Sequence, residues 1–314
     1  MVPRKRLNHF NPQSYLRAFA DPDGYLLTIK REPYEVDRLN VAKVAAERDF
    51  YTLRRADGTL TDQLEDELAL FDAKIPRIVG RVASVCEPSP ADVDDLKRLY
   101  AILLARGPVG RDYILDEVRS TRDRITSDFK ADFPDEDEST CEGTVDRIIR
   151  DFYEHSDELS ADAATVSRAN VPRLADEIAS AMPKFVCVMR SASWDFLTSD
   201  TPCSAFDPKA PPVGDGVYGV DYDSPTVELT LPLSRRHLAL FANRPVLARA
   251  KCNDGAVRIA NGRTVFFSKR MIFAYPSADA EANAIALAQQ ITYRTAYCEP
   301  MLPAFDEMTS STIS

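Results

Sequence analysis

The sequence predicts an α+β protein: a central helical region with a small N-terminal strand unit and a C-terminal, mainly antiparallel sheet. Three observations predict it. From Thr61 the apolar residues recur in steps of three and four, after Pro183 they give way to short β-branched and aromatic runs, and before Thr61 short strand-like pieces alternate with turn chemistry. The 314 residues are 45% hydrophobic and 28% charged, so a packed core is expected. The length lies near the size at which single cores stop growing. A single domain over 1–275 is expected, mainly helical over 61–182 and mainly strand over 184–241, with a C-terminal helical extension and tail over 276–314.

Asn11-Pro12-Gln13-Ser14-Tyr15-Leu16 reads as a helix start, with Asn11 as cap, Pro12 in the first turn and Phe10 stapled onto Tyr15, the helix reaching Phe19. Asp21-Pro22-Asp23-Gly24 is turn chemistry leading into Tyr25-Leu26-Leu27-Thr28-Ile29, a strand or hairpin arm. Glu47 to Leu53 reads as extended or irregular, with Phe50 and Tyr51 packing inward and a turn at Asp57-Gly58. Leu64, Leu68, Phe71, Ile75, Ile78 and Val82 mark an amphipathic helix. Pro76 should kink or divide it, because proline deletes a backbone donor and clashes with the preceding turn. Ser89-Pro90-Ala91-Asp92 opens the next helix as a capping box, and Val93, Leu96, Tyr100, Leu103 and Leu104 face inward until Arg106-Gly107-Pro108. Leu68, Phe71, Ile75, Leu96, Tyr100 and Leu103 should form the seam between these helices.

Helical patterns follow at about Gly110 to Phe129, Val145 to Tyr153 and Val171 to Met182. The acidic run Asp135-Glu136-Asp137-Glu138 lies between the first two as a solvated loop. Strands are expected at Phe185–Met189, Trp194–Thr198, Thr226–Leu231 and His237–Phe241, with a long loop from Pro208 to Pro225. Val257 to Met271 fits either helix or strand, and Ala280 to Gln290 is helix-like.

Composition excludes several classes. No run approaches the ~18 apolar residues of a membrane span, and the basic start Met1 to Arg6 leads into polar residues rather than an apolar signal region. Six isolated cysteines, with no C-x-x-C pair, read as reduced thiols, so a cytoplasmic location is expected. The net charge of -10 opposes extensive non-specific nucleic-acid binding, though it leaves room for a local basic cleft. Phosphate-loop, dinucleotide and G-x-S-x-G patterns are absent from the sequence.

The run His9-Phe10-Asn11-Pro12-Gln13-Ser14-Tyr15-Leu16-Arg17-Ala18-Phe19, followed by Glu47-Arg48-Asp49-Phe50-Tyr51, resembles the opening of the uncharacterised domain-of-unknown-function family 4238. The resemblance continues through Arg106-Gly107-Pro108, Trp194 with Thr198-Ser199-Asp200-Thr201-Pro202, Leu231-Pro232-Leu233-Ser234, and Asn261 before Arg270. It departs at Thr201, where relatives often carry asparagine, and at Gly107, where threonine is frequent. It implies an architecture and supplies no activity.

The motif residues suggest two functions. In the first, a metal-assisted hydrolase acting on phosphodiesters, His9 serves as acid or base, Asp200 and Glu47 hold a divalent metal ion, and Arg106 steadies the anion. In the second, a non-catalytic binding or protein-interaction module, each residue has a structural task. His9 fixes the helix entry, Asp200 forms a turn, Arg106 offsets a helix dipole, and the charged run at Glu47 is a solvated face. His155 and His237 match no motif and are expected at the surface or in a sheet. Substrate and partner are not legible in the sequence.

Overall fold

The protein is described by a computed structural model covering residues 7–209 and 220–277, with residues 282 and 301. The expected helix at Ala280–Gln290, apart from residue 282, most of the Pro208–Pro225 loop and the C-terminal tail lie outside the described residues.

The chain opens with a short strand, β1 (Leu7–His9), and a single helical turn, α1 (Gln13–Leu16). Pro12, rather than Asn11, is the residue ahead of this turn, and Asn11 makes no capping bond. Its amide instead donates to the Ser199 carbonyl at 2.6 Å, a long-range tie that takes the place of the expected cap. Phe10 stacks on Phe50 (5.6 Å between ring centres), and Tyr15 stacks on Phe19 (5.4 Å). The hairpin of β2 (Tyr25–Arg31) and β3 (Tyr34–Asn40) follows the Asp21–Gly24 turn, where Gly24 takes a φ of +81° that side chains disfavour. β4 (Ala46–Arg48) then pairs antiparallel with β1, placing His9 opposite Ala46. Phe50 and Tyr51 point inward and are buried as expected. A minor pair, β5 (Leu53–Arg54) and β6 (Leu60–Thr61), closes the N-terminal unit.

The helical region begins at α2 (Gln63–Asp72), which stops before α3 (Ile75–Ser84). Pro76 divides the two, sitting in the first turn of α3, where its missing N–H leaves no hydrogen bond unmade. α4 (Pro90–Arg106) starts with the Ser89–Asp92 capping box and ends at Gly107. α5 (Pro108–Asp132) starts directly after it. Asp137 caps α6 (Glu138–Phe152), so that helix begins inside the acidic run expected to be a loop. α7 (Ala163–Ala169) and α8 (Val171–Ala181) complete the layer. Leu68, Ile75, Leu96, Tyr100 and Leu103 are buried, while Phe71 is half-buried against the core. From Leu99 to Arg106 every residue of α4 is buried, marking it as the central helix of the layer.

Beyond the helices lie two sheets. The five-stranded sheet has the order β12-β7-β11-β10-β9, built from β7 (Phe185–Ser191), β9 (Ser204–Phe206), β10 (Glu228–Ser234), β11 (His237–Ala242) and β12 (Arg249–Cys252). Only β12 runs parallel to its neighbour, β7. Side chains alternate across it. Val186, Val188, Ala239 and Phe241 face the helical layer, while Cys187, Met189, Leu238 and Leu240 face α9 (Asp254–Phe267). The four-stranded sheet, β3-β2-β13-β8, joins the N-terminal hairpin to β13 (Met271–Ala274) and β8 (Thr198–Ser199).

One ambiguity resolves here and one expectation is corrected. Val257–Met271 is mostly helix, ending before β13. The expected strand at Trp194–Thr198 shrinks to β8, because the Asn261 side chain takes the Leu197 N–H (2.8 Å) and gives to the Asp195 carbonyl (3.0 Å), occupying groups a ladder would need. His237 lies in β11, whereas His155 is buried in a loop after α6, its Nε2 2.9 Å from the Ser160 carbonyl.

Candidate functional site

The motif segments, scattered over most of the chain, meet where α4 ends. Arg106 is 1% exposed, yet each nitrogen of its guanidinium makes a hydrogen bond. Nη1 pairs with Asp72 at the end of α2 (2.5 Å), Nε donates to the Tyr51 hydroxyl (3.0 Å), and Nη2 donates to the His9 carbonyl (2.8 Å). The Tyr51 hydroxyl donates onward to the Arg106 carbonyl (3.0 Å), satisfying a carbonyl at the open end of α4. One side chain thus fastens β1, α2 and the segment after β4 to the central helix. Burial pushes the Tyr51 hydroxyl up to about 12, partly countered by the Arg106 charge, so it remains a neutral donor. Burial likewise raises Asp72, with Arg106 pulling the other way.

His9 contributes its backbone to this cluster and its ring to another neighbour. Nε2 lies 3.3 Å from the Ala42 carbonyl and 3.4 Å from the Gln13 amide nitrogen. Burial lowers its basicity, the Ala42 carbonyl opposes that, and the Arg106 charge adds to it.

Asp200 follows β8 and has no exposed surface. Its carboxylate caps the loop between α9 and β13, Oδ1 accepting from Lys269 N (3.0 Å) and Oδ2 from Arg270 N (2.6 Å) and Met271 N (3.3 Å). Burial pushes this carboxyl up to about 6 against the pull of those three donors. Gly107 is packed close by, since a Cβ there would lie 3.2 Å from the Leu103 carbonyl oxygen and 3.6 Å from the Asp200 carbonyl oxygen. The ends of α4 and β8 therefore touch through backbone. Glu47 sits at the surface beside them, its carboxylate held by Arg111 (3.2 Å) and by Arg270. Lys269 pairs with Asp112 at 3.3 Å.

The expected metal donors do not fit a metal ion in this geometry. Glu47 faces two guanidiniums and Asp200 faces three N–H groups, so each carboxylate would have to exchange its present partners for a cation. Among the described residues, no group of three or more His, Cys, Asp or Glu side chains has a ligand arrangement. No helix among them is long and apolar enough to cross a membrane.

Sequence reasoning missed three members of this junction. Tyr15 is buried with its hydroxyl 2.9 Å from Thr198 Oγ1 and donating to the Pro232 carbonyl at 2.7 Å, which joins α1 to both sheets. Tyr51 showed only as an inward aromatic, and Asp72 carried no signal because its role depends on where α2 stops.

Fold and junction together define an α+β protein in which the polar motif residues act as a clasp between helices and two sheets. The chain belongs to the family described as "Protein of unknown function (DUF4238)", whose model matches residues 8–278. No curated protein and no solved structure matches it.

Proposed function

We propose that this protein is a non-catalytic binding module, folded as one domain over 1–275 and working in the cytoplasm. One observation carries the reading: the polar side chains of the family motifs are spent on holding backbone. Arg106, Asn11, Asp200 and Asn261 each bond main-chain groups from distant segments. Groups held this way are costly to release, since a buried charge stripped of its partners loses ~3–5 kcal/mol. The free thiols of Cys86, Cys141, Cys187, Cys203 and Cys252 support the reducing compartment.

The second reading, a metal-assisted hydrolase acting on phosphodiesters, draws support from the convergence of His9, Arg106 and the Asp200 backbone around one junction. It requires Asp200 and Glu47 to leave their present partners. Hydrolysis of bis(p-nitrophenyl) phosphate with added Mn²⁺, measured beside thermal unfolding, separates the two. The expected result is no metal-dependent turnover by the wild type, and loss of stability in Arg106→Lys, whose single ammonium cannot reach Asp72, Tyr51 and the His9 carbonyl together. Metal-dependent turnover that disappears in a stably folded Asp200→Asn or His9→Ala would sink the binding-module reading.

A further inference from the structure

Beside the clasp, on the side of the Asp21–Gly24 turn, lies a concave pocket of about 620 Å³. Its wall brings together Arg17 at the exit of α1, Arg235 at the turn between β10 and β11, and Tyr275 just after β13. The volume is in the range of small-molecule sites. Most arginines near the motifs are taken: Arg106 by Asp72, Arg111 by Glu47, Arg38 by Asp21 at 2.5 Å. Arg17 and Arg235 differ. Among the described residues, neither guanidinium is engaged by a carboxylate or a carbonyl.

Arg235 is nevertheless held in place. Its guanidinium carbon lies 4.2 Å from the centre of the Tyr275 ring, and its backbone N–H donates to the Ala18 carbonyl (3.2 Å), fixing the turn against the exit of α1. Stacking covers the face of a guanidinium and leaves its in-plane N–H groups pointing outward, which is the arrangement that receives an oxyanion. The rim also carries acidic residues. The Asp21 carboxylate is already offset by Arg38 and by the N–H groups of Asp23 (3.1 Å) and Tyr25 (2.8 Å). Asp23 and Asn40 line the same pocket; the Asn40 Oδ1 accepts from Ala42 N (3.1 Å) and its amide donates to the Asp23 carbonyl (3.4 Å), so the Asp23 carboxylate is the acceptor on offer there.

We propose that this pocket binds a small phosphate ester, its phosphate on Arg17 and Arg235 and its hydroxyl groups toward Asp23. Two separate guanidiniums offer more donors than the two oxygens of a carboxylate use, and they match a dianionic phosphate with three terminal oxygens. The acidic rim excludes a ligand that is anionic at both ends. The site deepens the binding-module reading, on which it rests, by naming the ligand class.

Isothermal titration calorimetry on the full chain, with ribose 5-phosphate, inorganic phosphate and acetate as probes, tests it. Ribose 5-phosphate should bind saturably and more tightly than inorganic phosphate, with no saturation by acetate. Arg17→Gln and Arg235→Gln should each weaken binding by about tenfold or more. Tyr275→Leu should weaken it by freeing Arg235. Arg124→Gln, an exposed arginine on α5, should bind as the wild type does. Circular dichroism of each variant confirms the fold. Absent saturation by both phosphates, equal binding of acetate, or unchanged affinity in Arg17→Gln and Arg235→Gln would overturn the proposal. Binding followed by release of inorganic phosphate would instead support the pocket while removing the non-catalytic reading.

Discussion

Asp200 carries two opposed influences in one side chain: burial favours its neutral form, while three backbone N–H groups favour the carboxylate. The result, a carboxyl near 6 against an ordinary value of 3.8, means that the folded state holds a proton more tightly than the unfolded state between those values. Stability from this group is therefore gained as pH falls into that window and lost as pH rises through it. Chemical denaturation at pH 7 and pH 5 should show the wild type gaining about 1 kcal/mol over Asp200→Asn on acidification. The comparison removes the contribution of the histidines, which both proteins share. At pH 7 the substitution itself should cost about 2–3 kcal/mol, since an amide cannot accept as a carboxylate does from all three donors. A wild type and variant with parallel pH profiles would show that the N–H groups hold the carboxyl at its ordinary value.

At the scale of elements, the junction of α4 and α5 is the tightest feature of the helical layer. Gly107 and Pro108 end one helix and begin the next with no intervening loop, and Gly110 sits on the inside of that corner. A Cβ on Gly110 would lie 2.4 Å from the carbonyl oxygens of both Leu104 and Ala105. Those are backbone atoms, so nothing nearby can swing away. Gly110→Ala should cost about 3 kcal/mol or more in urea denaturation, despite alanine's better helix propensity. Stability equal to wild type would mean that the corner opens without penalty. A second inter-element tie has Arg249 of β12 donating to the carbonyls of Val82 (3.4 Å), Ala83 (3.0 Å) and Val85, which satisfies the open end of α3 from the sheet. In this second case a helix end is completed by a residue far away in the chain.

Over the whole molecule, the segment from the end of β1 through α1 acts as a linchpin. Asn11 reaches Ser199, Tyr15 reaches Thr198 and Pro232, and the His9 carbonyl reaches Arg106, so a stretch of seven residues bonds both sheets and the central helix. We expect unfolding followed by circular dichroism and by tyrosine fluorescence to coincide in one transition. Tyr15→Phe should lower its midpoint, by an amount equivalent to about 1–2 kcal/mol, because it leaves the buried Pro232 carbonyl without that donor. Two separated transitions in the wild type would show that helices and sheets melt independently. The Arg17 and Arg235 pocket belongs to this scale too, since its two guanidiniums come from residues joined only by the docking of α1 against the β10–β11 turn.

Periodicity carried the helices and strands because it records which faces are buried. Leu68, Leu96 and Leu103 at helical spacing, the capping box at Ser89, and the division at Pro76 follow from local rules and appear as such in the fold. Family membership was legible in the motif order for the same local reason. The partners of His9, Arg106 and Asp200 were not. Each side chain's role was fixed by backbone groups brought in from elsewhere: Ala42 for His9, the His9 carbonyl for Arg106, and the Lys269–Met271 N–H groups for Asp200. Asn11 shows the rule most clearly: local sequence makes it a helix cap, but the amide bonds the Ser199 carbonyl, 188 residues away. A sequence determines which surfaces must be hidden, while the partner of a buried polar atom depends on which distant surface arrives to hide it.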